Sequence, residues 1–238
     1  MTDRNNESSV LSYARVAGLM YLLVIVIGIL NETFIVSELI IPGNNAATTN
    51  NLTANDLLFR SSIVLELIMY ASVVILSWAL YMVLKNANKN LALLAMLLRL
   101  TEAILGVVLV LLSFLVLALL NGENTLTELE MEKVRTWIGI LFNIRTMGLD
   151  IVLIFVGLGG TIFCYLFLKS KYVPGILAAW GIFTYLSMLI LSIISILFRD
   201  HPVILETILY IPGGLFELLF GIWLFFKGVK IQPQREPI

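Results

Sequence analysis

Arg99 and Glu102 stand three residues apart inside a run, 91–120, that is otherwise built almost wholly from Leu, Val and Ala. An ionised side chain in such a setting is costly, at least about 2.5 kcal/mol for an unpaired Arg at the centre of a bilayer. Its position therefore carries chemical information. Gly106 and Ser113 continue the spacing to i+7 and i+14, so the four residues share one helical face. The same arithmetic aligns Gly18, Tyr21, Ile25, Gly28 and Glu32 in the first apolar run, and Ser62, Glu66, Tyr70 and Ser77 in the second. Further on, Asn143, Asp150, Gly157 and Cys164 recur at heptad spacing beside Thr146 and Thr161, and Gly213, Glu217 and Gly221 lie four apart. The segment between them offers hydroxyls, chiefly Ser192 and Ser195.

A rise of about 1.5 Å per helical residue sorts these groups by depth. Arg99 comes out roughly 12 to 15 Å in from Lys89 or Asn90, Glu217 roughly 15 Å in from Lys227, and Glu102 one turn deeper than Arg99. These three are expected to form an intramembrane polar core. Glu32, Glu66 and Asp150, on three different helices, come out at roughly 25 to 29 Å, an outer acidic layer.

Each layer admits several chemistries. One Arg neutralises one of two carboxylates, so the inner set reads as a structural ion pair, as a titrating acid for a proton or cation, or as an Arg99 fork for an anionic solute. The outer set reads as a hydrated rim paired with Arg60, Arg145 or Arg199, or as three hard oxygen donors for a cation. An Asp150–Glu66 acid pair would serve an intramembrane lipid-modifying enzyme, though nothing in the sequence fixes their separation. Glycines such as Gly157, Gly159, Gly160, Gly213, Gly214 and Gly221 favour close helix contact, and Pro212-Gly213-Gly214 alternatively a break.

Other chemistries are disfavoured. His201 is the one histidine, in the loop Arg199-Asp200-His201-Pro202, which rules out a His-rich metal centre or a His-based triad within the apolar segments. No apolar segment holds a lysine for a Ser–Lys dyad or a chromophore, and no glycine-rich phosphate loop opens a helix. No catalytic residue, metal ligand or cofactor is expected. Cys164 has no disulfide partner.

The elements that must position these side chains follow from composition. Of 238 residues, 60% are apolar and 13% charged, against roughly a quarter charged in soluble domains. Spans are expected near 13–40, 61–84, 91–120, 148–168, 175–198 and 203–226. With no alternating barrel pattern, each must be a helix. The fold class is thus an all-α, six-span bundle with tails at 1–12 and 231–238. Net charge is −1 without a concentrated basic face, which sets nucleic-acid binding aside.

Arg4, Arg15, Lys85, Lys89, Lys169, Lys171, Lys227, Lys230 and Arg235 fall on one side, and Arg60, Lys133, Arg135, Arg145 and Arg199 on the other, diluted by acids. Both termini are therefore expected in the cytoplasm of a cytoplasmic membrane. No cleavage pattern follows the first run, which reads as retained, and no lipidation motif is present. Short connections at 85–90 and 169–174 make spans two and three, and four and five, antiparallel neighbours. Capping boxes are expected at Thr53 with Asp56 and at Thr127 with Glu130; the second opens an interfacial segment through Trp137. Spans one to three and four to six show no residue-level echo.

Four stretches carry a family resemblance: Ala14-Arg15-Val16-Ala17-Gly18-Leu19-Met20-Tyr21; Ile41-Pro42-Gly43 with Ala46-Ala47-Thr48; Asn90-Leu91-Ala92-Leu93-Leu94 with Arg99; and Lys169-Ser170-Lys171-Tyr172-Val173-Pro174-Gly175-Ile176-Leu177. Together they resemble a prokaryotic membrane family, domain of unknown function 4386. The resemblance implies a membrane protein and no established activity. The family pattern often has a His after Gly-Leu in its fourth span, where this chain has Gly159 after Gly157-Leu158. Expected partners are the lipid bilayer and a small solute, cation or proton. A scaffold or accessory role and a carboxylate-based lipid enzyme are the alternatives; oligomeric state is open.

Overall fold

The computed structural model describes residues 2–121, 127–198 and 203–230. The loop bearing His201, residues 199–202, and the tail 231–238 lie outside the described residues. Among the described residues the chain is helical throughout its elements. Helix α1 (Thr2–Asn31) runs into a π-helical turn, Glu32–Val36, and a last turn, Ser37–Leu39. It stops where Ile40 turns extended and Gly43 takes φ 76°, a conformation open to glycine.

A short helix follows in what reads from sequence as an Asn/Thr loop: α2 (Asn45–Ala54). The Asn44 side chain caps it by accepting from Ala47 N at 2.9 Å. Thr48 bonds Ile41 N at 2.9 Å, and Asn51 Nδ2 donates to Glu38 O at 3.1 Å, which fastens α2 to the end of α1. The expected capping box at Thr53 does not form. Thr53 lies inside α2 and its hydroxyl donates back to Thr49 O at 3.0 Å, the local bond that competes with a cap.

Helix α3 (Asp56–Leu84) leads through a tight connection to α4 (Lys89–Leu120), whose first turn is capped by Asn88. Helix α5 (Glu128–Ser170) opens with the expected Thr127–Glu130 box. The interfacial segment and the fourth apolar run are thus one continuous helix. Its 43 residues correspond to roughly 64 Å, about twice the hydrocarbon thickness. Lys171, in the left-handed region at φ 56°, ends it. Helix α6 (Gly175–Leu197) and helix α7 (Val203–Phe226) complete the chain. Helix α7 passes through Pro212 unbroken; Gly213 there presses against Met188 and Thr184 of α6, so the glycine serves packing.

The six long helices pack in a ring, α1–α3–α4–α5–α6–α7, and α7 closes back on α1. Both antiparallel pairs expected from the short connections, α3–α4 and α5–α6, are in contact. Glycines let backbones touch at the seams: a Cβ on Gly18 would lie 2.7 Å from Gly221 O of α7, and one on Gly157 2.8 Å from Tyr185 O of α6. Among the described residues, five of the helices are long and apolar enough to cross a membrane, and Ile211–Phe226 of α7 is a further apolar stretch. Outward-facing Ile104, Leu111, Phe183 and Ile190 are each more than half exposed. Such an apolar coat is suited to acyl chains.

Candidate functional site

Ionised and phenolic side chains meet inside the ring at two levels. The inner level is built on α4, where the buried face carries Ala95, Arg99, Glu102, Gly106, Val110 and Ser113. Room for the Arg99 stem comes from Gly159 of α5, where a Cβ would lie 2.9 Å from Arg99 Cγ. The place where the resemblance points to a His is thus filled by arginine methylenes.

Arg99 Nη1 and Glu102 Oε2 are 2.8 Å apart, both side chains almost wholly buried. Neither atom has an aligned hydrogen-bond partner among the described residues. The contact is therefore an ion pair held by Coulomb attraction with its hydrogen-bonding capacity unspent.

Glu217 of α7 is half-buried and accepts from Tyr185 Oη of α6 at 2.9 Å. Tyr185 Oη is in turn 3.2 Å from Tyr21 Oη of α1. Tyr185 has one proton to give, so Tyr21 must donate to it, and the file runs Tyr21, Tyr185, Glu217. Arg99 is close enough to interact electrostatically with both phenols and with Glu217, yet its ion-pair partner among the described residues is Glu102. Arg99, Glu102 and Glu217 thus belong to one cluster, with one guanidinium for two carboxylates and its ion pair made to Glu102.

At the outer level Glu66 of α3, 6% exposed, is the centre. Its Oε1 accepts from Asn31 Nδ2 at 3.2 Å and from Arg145 Nη2; Arg145 Nη1 also bonds Ser113 Oγ. Four helices, α1, α3, α4 and α5, are thereby tied at one point. The other two expected members face elsewhere. Asp150 Oδ2 accepts from Ser195 Oγ of α6 at 2.8 Å, and Glu32 is exposed.

Near the end of the first helix the buried positions Ile27, Asn31, Ile35 and Leu39 recur every four residues, and the backbone turns π-helical from Glu32, so the heptad-spaced stripe that would end at Glu32 loses its register and Asn31 faces inward in its place. Among the described residues no group of three or more His, Cys, Asp or Glu side chains could hold a metal ion. Glu66 bonds Asn31 and Arg145, and Asp150 bonds Ser195.

Tyr185 and Asn31 are the members that spacing alone misses, while Arg145 is one of the cations expected to pair with the outer acids. Arg145 reads as a loop cation, yet Thr127-x-x-Glu130 marks a helix start well upstream of it and could have placed it inside α5. Tyr185 gave no signal, being one tyrosine in an apolar run. A surface depression of about 830 Å³ lies between α2 and the start of α5, lined by Asn45, Glu132 and Arg135 among others. It is separate from both clusters.

A closed ring of apolar-coated helices around buried charged side chains defines a multi-pass helical membrane protein. The sequence pattern of the family described as domain of unknown function (DUF4386) matches residues 16–228, and the chain belongs to that family. No curated protein and no solved structure gives a significant match.

Proposed function

We propose that this protein resides in the cytoplasmic membrane with six crossings and both termini in the cytoplasm, and that it binds and passes a proton or small solute through its buried polar interior. The basic residues gathered at one set of helix ends support the orientation. One observation carries the function: Glu217 lies in a cluster whose single guanidinium is committed to Glu102, and its carboxylate is held instead by a neutral phenol. A carboxylate without an ion-pair partner in a low-dielectric interior exchanges protons more readily than a paired one. Glu217 is the exchanging group in this reading, with Tyr185 and Tyr21 orienting it.

The test is transport by the purified chain in liposomes under an imposed pH gradient. Wild-type protein is expected to dissipate the gradient, and Glu217→Gln to abolish the flux. Wild-type liposomes that remain as tight as empty ones, or flux that survives Glu217→Gln, would overturn it. A scaffold role is the second reading, favoured by the four-helix tie at Arg145 and Glu66. It differs in requiring a loss of stability, and no loss of flux, when carboxylates are neutralised.

A further inference from the structure

The two clusters are joined. Tyr70 of α3 sits one turn past Glu66, on the same helical face, and is 8% exposed. Its ring crosses to α4 and occupies the space that Gly106 leaves by having no side chain; the phenol carbons Cε1 and Cζ would overlap a Cβ there. Gly106 in turn is one turn past Glu102. The phenol therefore stands between a carboxylate of the outer cluster and a carboxylate of the inner one. Tyr70 interacts electrostatically with Glu66, Arg145 and Glu102. Glu66 Oε2 is buried and has no hydrogen-bond partner among the described residues, while Glu102 Oε2 meets Arg99 Nη1 at 2.8 Å without an aligned hydrogen bond. A buried acceptor left open is costly, and an arriving proton would fill it.

We propose that Tyr70 is the relay through which a proton passes between Glu66 and Glu102, linking the outer cluster to the inner one that holds Glu217. When protonated Glu66 gives up its O–H proton, Tyr70 Oη receives it and releases its own hydroxyl proton to the Glu102 carboxylate, directly or through a water. The phenol ends neutral, Glu66 ends as carboxylate and Glu102 as carboxylic acid. One proton has moved inward, and the phenol regains its starting orientation by rotating its O–H. Arg145 and Arg99 face the two carboxylates, so the end that holds the proton carries one net positive charge and the ion pair re-forms at the end that gives it up.

This inference rests on the proton-passing form of the function proposed above. Its test is Tyr70→Phe, which keeps the ring in the Gly106 notch and removes the hydroxyl. The full-length chain is reconstituted in vesicles of phosphatidylethanolamine and phosphatidylglycerol that enclose a pH-sensitive dye, with the membrane potential clamped. Tyr70→Phe is expected to cut proton flux by about a hundredfold, in the range that positioned proton donors and acceptors contribute, while melting with the wild type. Flux within twofold of wild type in Tyr70→Phe, with flux abolished in Glu217→Gln, overturns the relay and leaves the wider reading standing. Absence of proton flux in the wild type overturns both. Should Tyr70→Phe fold poorly, Gly106→Ala with Tyr70→Leu is the second probe, since it refills the notch without a hydroxyl; the same flux criteria apply.

Discussion

Tyr185 Oη donates to Glu217 Oε1 at 2.9 Å, joining α6 to α7 by a polar contact in an otherwise apolar seam. A hydrogen bond to a charged group contributes roughly 1.5 to 3 kcal/mol and one to a neutral group about 1. A double-mutant cycle of Tyr185→Phe and Glu217→Gln, read by unfolding in mixed micelles, is expected to give a coupling of about 1 to 3 kcal/mol. Strictly additive effects would mean the contact has no energetic weight.

The Arg99–Glu102 pair should behave as a buried ion pair. Arg99→Met alone leaves a carboxylate stranded and is expected to cost about 3 to 5 kcal/mol, whereas the double variant with Glu102→Leu costs less. Unfolding free energies of the three variants check the ordering. A double variant worse than the single one contradicts it.

Two glycines of α1 are expected to respond oppositely to alanine. At Gly18 the new methyl meets the α7 backbone and the cost is about 1 to 3 kcal/mol. At Gly28 the nearest atom is Met69 Sδ at 3.9 Å, so Gly28→Ala is neutral or gains up to about 1 kcal/mol in helix propensity. Thermal melting in detergent separates them.

Caps on the outer face offer a local test. Asn44→Ala removes the acceptor for Ala47 N and should destabilise α2 by about 1 kcal/mol. Thr53→Ala, which removes the hydroxyl's back-bond to Thr49 O inside the same helix and no capping acceptor, should change it less. Hydrogen exchange over residues 45–54 reports both.

The helices were legible because an apolar run long enough to span a bilayer admits few other structures, and the Thr127–Glu130 box was legible because it is a local pattern. Arg99 and Glu102 were found together because they sit one turn apart on one helix. Glu217 was placed at their level by counting residues from Lys227, a one-dimensional measure that addresses depth and not direction around the helix. Azimuth was harder. Glu32 was assigned inward by carrying a heptad spacing through the run, while the buried positions from Ile27 to Leu39 recur every four residues through a π-helical turn. Tyr185 was invisible because its partner, Glu217, lies on another helix, and no local rule links them. α2 hid in a polar stretch whose helicity comes from the Asn44 cap and its bonds to α1, tertiary terms that override weak propensity.

The most direct measurement is infrared difference spectroscopy of the protein in bilayers as pH is lowered. A carbonyl band of a protonated carboxyl is expected to grow, to vanish in Glu217→Gln, and to move in Tyr185→Phe, where the phenol no longer donates to that group. Spectra of wild type and Glu217→Gln that coincide across the whole pH range would contradict proton exchange at Glu217.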